Sequence, residues 1–193
     1  MPIIFSHRIR KHPRDYRVEF SFDDELTKED AAVFEITAGV KDVEAENWTD
    51  ITLRGQLRLD EELLVLSYED HEIARLSLAA ALDIPLEDGA DTAGSNIDFD
   101  IDYANTVDGV IRSLGIEEII HQIPTDPILG CLIKGLASTA IGQIIHCWRL
   151  NRNTRPLTDL VNRIGACLRD HRVRMLFTFM YRIGRCAVLG GLR

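Results

Sequence analysis

The spacing of apolar residues along this 193-residue chain changes once, from every second position to a helical repeat, and that change limits the folds open to it. Tyr16, Val18, Phe20 and Phe22 alternate with Arg17, Glu19, Ser21 and Asp23. Successive side chains of a strand point to opposite faces, so this pattern predicts a strand buried on one side. Phe34, Ile36, Ala38 and Val40 repeat it, and Ile51, Leu53, Leu57 and Leu59 do so again. Asp60-Glu61-Glu62 and Asp70-His71-Glu72 are polar breaks before LLVLSYE and IARLSL, as in an antiparallel meander joined by tight turns. Residues 24–32, DELTKEDAA, predict a short helix between the first two strands.

Past about residue 103 the period becomes 3.6. Val107, Val110, Ile111 and Leu114 form one helical face closed by Gly115. Thr125-Asp126-Pro127 is a helix start, with Asp126 as cap and proline in the first turn. The helix that follows, 127–149, carries Leu129, Leu132, Ile133, Leu136, Ala140, Ile141, Ile144, Ile145 and Trp148. Pro156 opens another, with Leu157, Leu160, Val161, Ile164 and Leu168. The last run, 173–189, reads as a helix whose apolar face is Val173, Phe177, Met180, Gly184 and Ala187, with a strand as the alternative. The expected fold is α+β: an N-terminal antiparallel β-meander or small sandwich, then a C-terminal helical module. The expected divisions are a basic arm (1–17), an acidic mainly-β module (18–102) and a basic, apolar helical module (103–193). The acidic stretch 83–102 marks the boundary.

Charge follows the same division. Residues 1–104 hold 10 Lys+Arg against 25 Asp+Glu, and residues 105–193 hold 12 against 6. A composition of 46% hydrophobic and 27% charged residues is that of a globular chain and excludes disordered and collagen-like classes. The net charge of −9 gives no global attraction to nucleic acid. Within 149–193, however, there are ten arginines, no lysine and two aspartates. Arg149, Arg152, Arg155, Arg163, Arg169, Arg172, Arg174, Arg182 and Arg185 are the candidate binding set, since guanidinium pairs bidentately with carboxylate or phosphate.

Cys131, Cys147, Cys167 and Cys186 show no zinc-type spacing. Cys131 and Cys147 lie on one predicted helix about 24 Å apart, which forbids a bond between them. The N-terminus lacks the apolar region of a signal peptide, and reduced structural thiols in a cytoplasmic protein are the expectation. Cys167 and His171, four apart on one helix, have the spacing of a thiolate beside its base, but no third orienting group or oxyanion motif accompanies them. Asp98, Asp100 and Asp102 begin like a calcium loop, yet Tyr103 stands where glycine is needed and Gly109 where the bidentate glutamate belongs. The even spacing of His121, His146 and His171 has no structural meaning. No GxSxG, P-loop, GxGxxG or HExxH motif is present. No catalytic residue, metal site or cofactor is therefore expected, and the chain reads more readily as a non-enzyme.

The expected function is non-catalytic: a protein–protein interaction or assembly protein that binds another protein or itself through apolar helices, with opposed charges setting orientation. One alternative is nucleic-acid binding by the arginines of 149–185 together with the 6–17 segment. A second is membrane association through helix 127–149, which is near spanning length but carries Lys134.

Overall fold

A computed structural model describes residues 1–83 and 126–190 of the chain, with side chains from 185 onward left out. Its elements are β1 (Ile3–Lys11), β2 (Arg14–Phe22), β3 (Ala31–Asp42), β4 (Thr49–Arg58), β5 (Leu63–Tyr68), β6 (His71–Ser77), a 3-10 turn (Ala80–Asp83), α1 (Pro127–Asn151), α2 (Leu157–Asp170) and α3 (Arg172–Gly190). The fold is α+β. The six strands form one antiparallel sheet in chain order, a plain meander. Among the described residues, helices cover its apolar face, as the expected meander followed by a helical module requires. The 107–114 helix, Asp98, Asp100, Asp102 and His121 lie outside the described residues.

Alternation decides which face the helices cover. Tyr16, Val18, Phe20 and Phe22 of β2, Phe34, Ile36 and Ala38 of β3, and Ile51, Leu53 and Leu57 of β4 are all buried. The intervening positions form a polar outer face, where Arg54 pairs with Glu35 at 3.1 Å and the Thr37 and Thr52 hydroxyls meet at 3.0 Å. One continuous core runs from the sheet through Leu132, Leu136, Ile144 and Trp148 of α1 to Leu160 and Ile164 of α2 and Phe179 of α3.

Two local expectations change. The basic opening is paired along its length: Ile3–Lys11 forms β1, and Arg8 lies opposite Arg17 of β2. Residues 24–30 form no helix. The Thr27 hydroxyl accepts from Glu29 N and Ala31 N, and Asp23 accepts from Glu25 N, all at 3.3 Å. Short polar side chains satisfying nearby amides compete with the helix ladder, and here they make a turn.

The start of α1 follows the expectation. Asp126 Oδ1 accepts from Ile128 N at 2.8 Å and Leu129 N at 3.3 Å. The same carboxylate takes the Tyr16 hydroxyl at 3.3 Å and pairs with Arg14, which fixes the head of α1 to β2. By length and composition α1 is apolar enough to cross a membrane, but 67% of its most apolar stretch is buried inside the protein. Within this fold it serves as the core helix.

Candidate functional site

Chemistry-bearing side chains gather where α1 meets α2. Cys147 and Cys167, twenty positions apart, are joined in a disulfide with Cα atoms 5.7 Å apart, a normal span for such a bond. Cys131 is also disulfide-bonded, and no described cysteine is free. This overturns the expectation of reduced thiols: the helical crossing brings together two cysteines whose linear spacing carries no signal.

His171 sits at the joint where α2 ends and α3 begins. Its Nδ1 lies 2.7 Å from the Cys167 carbonyl oxygen, so that nitrogen carries the proton and donates it. The same Nδ1 is 3.6 Å from Cys167 Sγ. On the other sulfur, Gln143 Nε2 donates toward Cys147 Sγ at 3.6 Å. His146 is fully buried, with its ring edge-on to that of His171 at 5.6 Å. Burial pushes its proton affinity down to about 4, with help from the charges of His171, Arg174 and Arg149. The cluster is thus a disulfide in a partly buried, electropositive setting. Sulfur and nitrogen atoms of Cys147, Cys167 and His171 fall within 4.8 Å of one another, a spacing that suits a metal once the sulfurs are thiolates.

The arginine set is scattered rather than gathered. Arg149 donates to the Leu82 carbonyl at 3.2 Å, tying α1 to the end of the sheet module. Arg169 reaches Asp24 at 3.1 Å, one ion pair across the acidic and basic halves. Arg182 is buried and donates to Thr139 Oγ1 at 2.8 Å, holding α3 against α1. Arg174 is half-buried, and Arg155 donates to the Arg152 and Thr154 carbonyls. Arg152, Arg155, Arg163 and Arg172 are exposed, and the Arg185 side chain lies outside the described residues.

The basic opening points elsewhere. Arg8, Arg17 and Lys41 surround the Trp48 ring at 5.8, 4.6 and 5.5 Å from its centroid. Arg17 flanks Tyr16 and Val18, whose side chains are buried under the helices, so this cation–π cluster faces the opposite side of the sheet.

No family model, curated protein or solved structure matches this chain.

The remaining feature is the reversed face of α3. The helix forms as expected, but its buried side is Met175, Phe179 and Arg182, with Phe179 edge-on to Phe5 of β1 at 5.6 Å. The face read from the sequence as inward points to solvent: Val173 is 54% exposed, Phe177 41% and Met180 44%. Two apolar faces compete on this helix. The Phe5–Phe179 ring contact and the Arg182–Thr139 bond go with the face that docks.

Proposed function

We propose that this chain is a non-catalytic assembly protein that associates with copies of itself through the outer face of α3. The observation that carries this reading is the exposed row Val173, Phe177, Met180, spaced four and three residues apart on one side of the helix. Apolar side chains in contiguous helical register are costly to leave in water and are the usual centre of an interface. Charge on the page favours a second copy as occupant. Arg172 adjoins the row, with Arg163, Arg155 and Arg152 also exposed on the helical side, while the sheet side offers exposed acidic turns at Asp60, Glu61 and Glu62 and at Glu69 and Asp70. A chain carrying both signs on separate surfaces supplies its own complement, and such charges orient an encounter more than they strengthen it.

Nucleic-acid binding has less support. Arg8 and Arg17 of the first basic segment face the side of the sheet away from the helices, and Arg149, Arg169 and Arg182 are engaged within the protein. Sedimentation velocity over a range of protein concentrations tests the proposal. The native chain is expected to shift to larger species as concentration rises, and Phe177→Asp to remain a monomer. Equal behaviour of the two would remove the α3 face from any assembly.

A further inference from the structure

We propose that Cys147–Cys167 is a thiol–disulfide exchange site, at which Cys167 is the sulfur attacked by an external dithiol and Cys147 the sulfur that leaves. The two sulfurs are unequally placed: Cys147 is wholly buried, whereas Cys167 is part-exposed on α2. Gln143 Nε2 donates toward Cys147 Sγ at 3.6 Å, whereas His171 Nδ1, also 3.6 Å from Cys167 Sγ, gives its proton to the Cys167 carbonyl. A disulfide sulfur is a feeble acceptor, while a thiolate carries a full charge, so the Gln143 donor favours the open pair with the leaving charge on Cys147. Gln143 is itself buried, with Thr139 and His146 the other buried polar side chains described on α1. The guanidinium charges of Arg149 and Arg174 act on His146, one residue before Cys147, and positive charge nearby favours thiolates. That field also opposes capture of a metal cation, the other use of Cys147, Cys167 and His171.

The exchange balances without further reagents. A thiolate of the dithiol bonds to Cys167 Sγ, the Cys147–Cys167 bond breaks, and its electron pair leaves on Cys147. The second thiol of the reagent loses its proton and attacks the reagent sulfur of that mixed disulfide, releasing the Cys167 thiolate. The dithiol gives up two electrons and becomes a disulfide. Its two protons pass to Cys147 and Cys167 or to solvent.

The test is native-state exchange on the full chain, first with glutathione and then with graded ratios of reduced to oxidised dithiothreitol, each followed by alkylation and peptide mass analysis. The expected result is opening while the circular dichroism of the fold is retained, with glutathione on Cys167 in roughly tenfold or greater excess over Cys147, since access decides which sulfur is attacked. Gln143→Leu, of similar volume, is expected to lower the reduced fraction several-fold at a given reagent ratio. A pair that opens only on denaturation, equal labelling of the two cysteines, or a reduced fraction unmoved in Gln143→Leu would overturn the proposal. Stoichiometric protection of the reduced pair by zinc would overturn it in favour of a metal site.

Discussion

Cys147 on α1 and Cys167 on α2 are the covalent tie between two helices that otherwise meet through Leu160, Val161 and Ile164 packed into the common core. Closing a segment of this length removes entropy from the unfolded chain worth about 3 kcal/mol. The double variant Cys147→Ser/Cys167→Ser is therefore expected to lose about 3 kcal/mol in denaturant unfolding, and roughly 6–12 °C in Tm for a chain of this size. A loss below about 1 kcal/mol would mean that apolar packing alone holds α2 in place.

His146 makes stability depend on pH in a defined window. Its value in the fold is about 4 against an ordinary 6.5, lowered by burial first and then by His171, Arg174 and Arg149. Between those values the unfolded chain binds the extra proton and the folded chain does not, so stability rises with pH there. The contribution is fully present above about pH 6.5 and is lost as pH falls toward 4. It amounts to about 3 kcal/mol at one pKa unit per 1.36 kcal/mol. His146→Leu is expected to flatten unfolding free energy over that range relative to the native chain. Parallel curves for the two proteins would contradict this.

Asp126 joins a helix cap to the sheet, and its two duties are separable. Asp126→Ala removes the acceptor for Ile128 N and Leu129 N and is expected to cost about 1–2 kcal/mol, the upper range of cap deletions, because Arg14 and Tyr16 lose their partner as well. Asp126→Asn keeps an oxygen for the amides but deletes the charge. The Tyr16 phenol is held above its ordinary value by burial first and then by the Asp126 carboxylate. Ultraviolet titration of the asparagine variant should show one tyrosine ionising at lower pH than in the native chain.

Gly55 lies opposite Phe34 in the β3–β4 register, and a Cβ placed there would overlap the Phe34 ring. Gly55→Ala is expected to destabilise by about 1–3 kcal/mol through overpacking. Combining it with Phe34→Leu should cost less than the sum of the two single changes, because they share one space. Strict additivity in denaturant unfolding would show that the ring can move away freely.

Legibility differed between element types for physical reasons. The strands and α1 carry long, unbroken periodic patterns ending in recognisable turn and cap residues, and Asp126 performs the capping its place in Thr-Asp-Pro implies. The β1 strand was obscured by its charges: as an edge strand it needs few apolar residues, and His7 to Lys11 alternate weakly. The orientation of α3 was hidden because it has two apolar faces, and contacts across the core, Phe5 with Phe179 and Arg182 with Thr139, go with the face that docks. Cys147 on α1 and Cys167 on α2 meet through a helix crossing, which no linear spacing encodes. Cys167 with His171 was the legible fragment of that cluster, since both lie on one turn of helix.

The central claim, assembly through the outer face of α3, is tested most directly by size-exclusion chromatography with light scattering at low and high salt, with the ratio of absorbance at nucleic-acid and protein wavelengths recorded. The account predicts a discrete, nucleic-acid-free oligomer that survives high salt in the native chain and falls to a monomer in Phe177→Asp/Met180→Asp, because apolar burial is insensitive to screening. A native chain that is monomeric throughout, or one that carries nucleic acid at low salt and sheds it at high salt, would contradict it.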